Sequence, residues 1–405
     1  YGANGSGKSN LIRSISLLKM MLLNGVIPNT LLSQKFKLAE DSLNEPVELA
    51  IEFFANNSIY YYSISINDGI ILDEYFSTNG INQQDELIFH RKIDNNKTTI
   101  IFFKEFEDIT ENKTLKKVIE NDLLKPYQPL FTLLNSITNN AFVHIKIAYE
   151  WFNKGLTVIY PTTKPNSLAY QIDAKEGFKE FANTLMCSFN TGIAGLKIET
   201  KSIEDFFGED NQSEIDEIKS ELKNNPEKII LKKIKTENDE VVIVNEGGKI
   251  LAKRLYFEHK GEKNENIEFK LNEESDGTRR LLEYLPVWND LIKFTPTFLI
   301  DEIERSIHPL IIKELIEKFS KDESTKGQLI FSTHESNLLD QDVFRTDEIW
   351  FTEKNILGST KLYTLSDFKE HNTIDIRKGY LNGRYGAIPF LGNLQDLNWN
   401  KNHVD

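Results

Sequence analysis

Residues 2–9 read Gly2-Ala3-Asn4-Gly5-Ser6-Gly7-Lys8-Ser9, and a helical pattern follows this octapeptide at once. The spacing is G-x-x-x-x-G-K-[ST], a loop that demands a strand–loop–helix unit around it. Its glycines let backbone N–H groups converge on phosphate oxygens, and the helix start adds partial positive charge. Lys8 is expected to reach the β- and γ-phosphates and Ser9 to ligate Mg²⁺. Asn4, Gly5, Ser6, Gly7, Lys8, Ser9 and Asn10 are therefore the expected nucleotide-binding residues, with ATP and Mg²⁺ as cofactors. Such a loop normally leaves a buried strand. Here the chain starts at Tyr1, without a Met, and reads as one lacking its natural N-terminus.

The 405 residues suit two or three domains, or one domain with a large insertion. With 40% hydrophobic and 27% charged residues, and only 21 Gly and 11 Pro, collagenous, mucin-like and wholly disordered chains are excluded. Forty-eight Lys plus Arg against 62 Asp plus Glu leave a formal charge of −14, which argues against a nucleic-acid coat while leaving a local basic groove open. No apolar run approaches a membrane span, and the first residues lack a charged region followed by an apolar one. The single Cys187 can form neither an internal disulfide nor a zinc site by itself, so a reducing compartment, the cytoplasm, is expected. Its apolar helical surroundings make it structural rather than nucleophilic.

Asn10 to Met21 reads as a helix, with Leu11, Ile15, Leu18 and Leu22 at helical spacing. From Val47 to about Phe103, runs such as VELAIEFF, IYYYSISI and GIILDEYF between NN and NDG turns predict an antiparallel sheet. Tyr60-Tyr61-Tyr62 reads as sheet packing rather than a base-stacking platform. Glu105 to Ile198 is mainly helical, interrupted by the apolar run Leu156 to Tyr160. Ser202 to Glu227 is acid-rich and is expected as an exposed helix or a mobile arm, its charge a solvated face. Strands return at IILKKI, VVIV and LYFEH. From Gly277 the order helix, FLI, helix, LIFST, short helix, EIWF implies a parallel sheet with crossover helices. The glycine- and aromatic-rich piece DIRKGYLNGRYGAIPFLG reads as a packed irregular segment. The expected division is 1–104, the first part of an α/β head with an antiparallel β lobe; 105–240, a mainly helical insertion; and 241–405, the rest of the head.

Three further constellations carry chemistry. The apolar strand Thr297-Phe298-Leu299-Ile300 ends in Asp301-Glu302, where a strand end can aim Asp301 at Mg²⁺ and Glu302 can deprotonate an attacking water. The strand LIFST ends at His334, on the edge of an α/β sheet where ligands bind, and a His there can sense the γ-phosphate. Glu274-Ser275-Asp276-Gly277-Thr278-Arg279-Arg280 is a small polar turn opening a helix shortly before the carboxylate strand, which taken alone is a helix N-cap.

In this order the pieces resemble the ABC-type ATPase head, over nearly the whole chain. YGANGSGKSNLI, FLIDEIERSIHP and FSTHESNLLD are most similar to the prokaryotic AAA-type branch, the stand-alone ATPases related to RecF and to the overcoming-lysogenization-defect proteins. The closing GRYGAIPFLG looks like a segment of ATPases encoded beside RloB-type or TOPRIM-type nucleases in anti-phage loci. The resemblance implies an α/β P-loop fold with a parallel core sheet, an antiparallel β lobe and a helical insertion. It implies that Ser275 and Gly277 act as signature residues closing on the γ-phosphate of a second subunit, the signature reading SDGT in place of SGGQ. It places the D-loop at Arg305-Ser306-Ile307-His308, before Pro309. The Q-loop glutamine is open among Gln128, Gln83 and Gln84. The activity implied is ATP hydrolysis with Glu302, His334 and Lys8 as catalytic residues and Ser9 and Asp301 on the metal. The partners implied are a second copy of the chain and a nuclease. Direct clamping of DNA in the RecF manner is the first rival; the second is a non-hydrolysing scaffold with ATP as a structural ligand, against which Glu302 weighs.

Overall fold

The NN and DG turns sit where period-two runs change direction, and the backbone shows why. In this computed structural model Asn56 and Asn57 both have positive φ (46° and 62°), as do Asp68 and Gly69 (48° and 77°). That is the conformation of two-residue hairpins whose twist matches the strands they join. The structure describes residues 1–33, 35–39, 41–80, 85–94, 97–165, 167–234, 239–368 and 375–388. Gln83, Gln84 and the last four residues of GRYGAIPFLG lie outside these.

Strands β1 (Val47–Ala55), β2 (Ser58–Asn67), β3 (Ile70–Gly80), β4 (Glu86–Asp94) and β5 (Lys97–Phe102) form one antiparallel sheet in that order. Alternation buries Tyr60, Tyr62, Ile64 and Ile66 and turns Tyr61 outward, so the tyrosines pack the sheet as expected. Below this face lies a fully buried ion pair. Glu74 accepts from the Leu130 and Phe131 backbone N–H groups (2.7 and 2.9 Å) and from the Tyr62 hydroxyl (3.1 Å). Arg91 donates to Glu74 (3.5 Å) and to the carbonyls of Gln128 (2.7 Å), Lys125 and Pro126. The pair thus satisfies the open N-terminus of the helix Leu130–Ser136 and ties it to the sheet.

The first helix runs Lys8–Asn24 and buries Ile12, Leu18, Met21 and Leu22, whereas Leu11 is exposed. The run β6 (Leu156–Ile159), which interrupts the helical stretch in sequence, is a core strand. Next along the chain come β7 (Ile193–Ser202), β8 (Ile230–Ile234), β9 (Asp239–Glu246), β10 (Lys249–Lys260) and β11 (Asn266–Lys270). They are followed by β12 (Thr297–Ile300), β13 (Gln328–Phe331), β14 (Trp350–Lys354) and β15 (Thr360–Thr364). The core sheet is ordered β13-β12-β6, with β12 and β6 parallel. EIWF does not extend it as the sequence order suggested. It becomes β14, paired antiparallel with β15 and touched in parallel at Gly2 opposite Thr352. A cluster of Phe351, Leu365, Ile376, Tyr380, Tyr385 and Ala387 anchors this hairpin, so the C-terminal glycine–aromatic piece is packed through its described part.

The chain divides into two compact units: Tyr1–Ile159, Pro296–Asp301 and the chain from Leu329 form one, Tyr160–Thr295 with Glu302–Gln328 the other. In the second unit β11, β10, β9 and β8 form a sheet, and β7 also pairs with β10. The acid-rich segment here is neither an arm nor merely a solvated face. Its helix Gln212–Asn224 buries Ile215, Ile218 and Leu222 in one cluster with Val241, Ile243 and Ala252, because its apolar residues recur three and four apart while the acids face out. Cys187 is helical and not activated, as expected, but it is not packed in apolar surroundings. It is exposed on the helix Glu176–Ser188, and desolvation by its neighbours pushes its thiol up rather than activating it.

Candidate functional site

Gly7 caps the first helix with φ 111°, a conformation L side chains rarely adopt, and a Cβ there would stand 2.2 Å from the Thr360 hydroxyl oxygen. The glycine is thus required by conformation and by space. Lys8 is buried, and its ammonium donates to the carbonyls of Gly2 (2.6 Å) and Ala3 (3.1 Å). It also lies 3.4 Å from His334 Nδ1. An ammonium only donates, so Nδ1 is the acceptor and the ring proton belongs on Nε2. Two motifs 326 residues apart in sequence therefore meet. Asn4, Gly5, Ser9 and Asn10 are exposed around this loop, while Ser6 is buried.

Phe298, Leu299 and Ile300 are buried, as a parallel core strand requires, and Asp301 at its end is also buried. The Asp301 N–H donates to the Ile159 carbonyl (2.9 Å), continuing the ladder past β6. Its Oδ1 accepts from the Ser332 hydroxyl at 2.5 Å, and the Ser332 N–H in turn donates to the Ile300 carbonyl. Ser332 escaped the sequence reading, although a hydroxyl inside the apolar strand LIFST was its signal. Asp301 and Ser9 supply a carboxylate and an alcohol, the hard oxygen donors that suit Mg²⁺. No cluster of three His, Cys, Asp or Glu side chains able to hold a metal occurs among the described residues.

The second unit carries the remaining candidates. Glu302 has φ 51° and Ser306 φ 63°, left-handed conformations that side chains adopt only when their surroundings enforce them. One enforcing contact is Tyr284, whose hydroxyl donates to the Ile303 carbonyl at 3.3 Å. Burial pushes its phenol up to about 12, so it remains a donor at any physiological pH. Ser275 caps the helix Asp276–Glu283, accepting from the Thr278 N–H at 3.1 Å, and Ser275 and Asp276 are exposed. A Cβ on Gly277 would lie 2.6 Å from the Ser306 carbonyl oxygen, so the turn expected to be the signature and the loop expected to be the D-loop pack backbone to backbone. His308 caps the next helix, Pro309–Lys321. Arg280, which the motif includes without a role, and His259, which lies outside it, brace the turn. Arg280 donates to the carbonyls of Thr163 (3.1 Å) and Tyr160 (3.3 Å) and lies over the Tyr284 ring, and His259 Nε2 pairs with Glu274 at 2.5 Å.

A phosphate loop on a helix start, a buried strand ending in adjacent carboxylates and a capped signature turn after an antiparallel lobe define a P-loop ATPase of ABC type. Residues 1–340 match the family described as "AAA domain, putative AbiEii toxin, Type IV TA system", and the chain belongs to that family. No curated protein matches it significantly. Among solved structures it is similar to an SMC head bound to the C-winged helix domain of ScpA, at 11% identity over 90% of this chain and 88% of that one, TM-score 0.39. An Smc head with an extended coiled coil, bound to the C-terminal domain of ScpA derived from Pyrococcus furiosus, shares 15% identity over 95% and 92%, TM-score 0.35. The recombination mediator protein RecF of the RecFOR pathway shares 15% over 84% and 86%, TM-score 0.24. At these scores the structural likenesses carry no weight for residue roles or partners. No helix among the described residues is long and apolar enough to cross a membrane.

Proposed function

We propose that this ATPase binds ATP at residues 4–10, closes as a homodimer around it, and thereby controls a separate effector, a nuclease of an anti-phage system, in the cytoplasm. The observation that carries the nucleotide part is the Lys8–His334 contact, which joins the phosphate loop to the strand end expected to sense the γ-phosphate. Lys8 balances phosphate charge and would leave the Gly2 and Ala3 carbonyls when a polyphosphate enters. Glu302, which directly follows Asp301, accepts the proton of the attacking water as ATP and water become ADP and phosphate. Ser9 and Asp301 would hold Mg²⁺, which when bound supplies charge neutralisation at the phosphates.

Dimer closure is supported by the exposed, capped N-terminus at Ser275 and Asp276. A loop from one subunit surrounds only part of a phosphate, and N–H donors at a helix start in a second subunit complete the cage. Hydrolysis then removes the group that holds the interface, and the effector is released or switched. The anti-phage nuclease rests on the resemblance of the motifs and of GRYGAIPFLG. The test is the mass in solution of the full-length protein carrying Glu302→Gln. ATP with Mg²⁺ is expected to double it, and the co-encoded protein to join the complex while duplex DNA does not. A mass that never responds to ATP removes the dimer reading, and recruitment of DNA alone replaces it with a DNA clamp.

A further inference from the structure

The phosphate loop is held by a part of the chain that no nucleotide-binding motif includes. Thr352 on β14 is buried, and its hydroxyl donates to the Tyr1 carbonyl at 3.1 Å while lying 2.6 Å from the buried Ser6 hydroxyl. With the threonine proton committed to Tyr1, the Ser6 hydroxyl is the donor of that pair. On β15, exposed Thr360 donates from its hydroxyl to the Ser6 carbonyl at 2.8 Å. Ser6 is thus gripped through both its side chain and its backbone. The hairpin that holds it is fixed in turn: the Tyr363 hydroxyl donates to the Tyr385 carbonyl at 2.7 Å, and Phe351 stacks on Tyr380 and Tyr385.

We propose that Thr352 and Thr360 are positioning residues for the phosphate loop, fixing Ser6 so that the N–H groups of Gly5, Gly7 and Lys8 converge on a polyphosphate before it arrives. An anion site built from backbone dipoles binds well only if those dipoles are already aligned, since aligning them on binding subtracts from affinity. A valine in place of either threonine keeps the shape but puts a methyl where a hydroxyl stood. A methyl group cannot approach the Ser6 carbonyl at 2.8 Å, so the loop must move. The inference rests on residues 2–9 being the phosphate loop.

The experiment titrates ATP into the full-length Thr360→Val, Thr352→Val, Thr360→Ser, Thr352→Ser and Lys8→Ala proteins and measures steady-state ATPase kinetics alongside. Each valine variant is expected to bind ATP about tenfold more weakly, the worth of one hydrogen bond. KM should rise while kcat at saturating ATP stays within about twofold, the mark of lost ground-state and transition-state binding alike. The serine variants, which keep the hydroxyl, should restore affinity, a rescue that a packing role for the methyl would not give. Thr360 is exposed, so its variants report even if Thr352→Val fails to fold. Wild-type affinity in Thr360→Val beside lost binding in Lys8→Ala overturns the proposal and leaves the loop assignment standing. Wild-type affinity in Lys8→Ala as well overturns both.

Discussion

Glu302, Ser306 and Gly277 are single residues whose backbone is dictated by neighbours rather than by their own preference. Glu302 and Ser306 sit in the left-handed region at a cost of about 1 kcal/mol or more each. Gly277 supports the turn between them through an approach that leaves no room for a methyl group. Its neighbour is a backbone carbonyl, which cannot swing away as a flexible side chain would. Gly277→Ala is therefore expected to destabilise the protein by about 1–3 kcal/mol, read as a lower urea midpoint. On the proposed function it should also slow ATP turnover, because the turn at residues 275–277 and the loop at Ser306 are displaced together.

Elements are held by pairs that their own local sequence does not announce. The helix Leu130–Ser136 begins with no capping side chain of its own and borrows the Glu74 carboxylate from β3. Burial raises the Glu74 pKa above its ordinary value and the Arg91 guanidinium opposes the rise. Arg91→Met strands that carboxylate and is expected to cost about 3–5 kcal/mol near neutral pH. The sign of its pH dependence follows. A carboxyl whose folded pKa is raised contributes stability below its unfolded pKa, and that contribution is lost as pH rises through the folded value. The variant's deficit should therefore shrink on acidification toward the ordinary glutamate range, measured by urea melts across that window. The helix Gln212–Asn224 gives a second check at this scale. Ile218→Ala should cost about 2–5 kcal/mol if the acid-rich segment is packed, and a mobile arm would show no change.

For the whole molecule, nucleotide is a stabiliser as well as a substrate. A ligand that binds only the folded state at a hundred times its dissociation constant adds about 2.7 kcal/mol. With Glu302→Gln to prevent turnover, ATP and Mg²⁺ should raise the melting temperature, and Lys8→Ala should abolish that rise relative to its own ligand-free melt, which the loss of the bonds to the Gly2 and Ala3 carbonyls lowers in turn. The formal charge of −14 sets the background. On the proposed function, anionic nucleotide binds against it through positive potential supplied locally by the loop's N–H groups and Lys8, so the affinity should fall as salt rises.

What was legible in the sequence is what adjacent residues decide. The octapeptide at residues 2–9 is contiguous, so the motif and the helix that starts at its Lys8 can be read from neighbouring residues alone. The five-stranded antiparallel lobe follows from period-two alternation and asparagine or glycine turns, and the buried β12 from an unbroken apolar run ended by Asp301 and Glu302. EIWF was misassigned because chain order says nothing about which edge a strand joins, and here Phe351 found its apolar neighbours in Tyr380 and Tyr385. The acid-rich segment looked solvated because its charges are more numerous than its buried residues, yet Ile215, Ile218 and Leu222 decide its place. Lys8 with His334, Asp301 with Ser332, Ser6 with Thr352 and Thr360, and Glu74 with Arg91 were decided only by the tertiary structure. A hydrogen bond or ion pair between residues far apart along the chain leaves no spacing to read, and it exists only once packing has removed the water that would otherwise satisfy both partners.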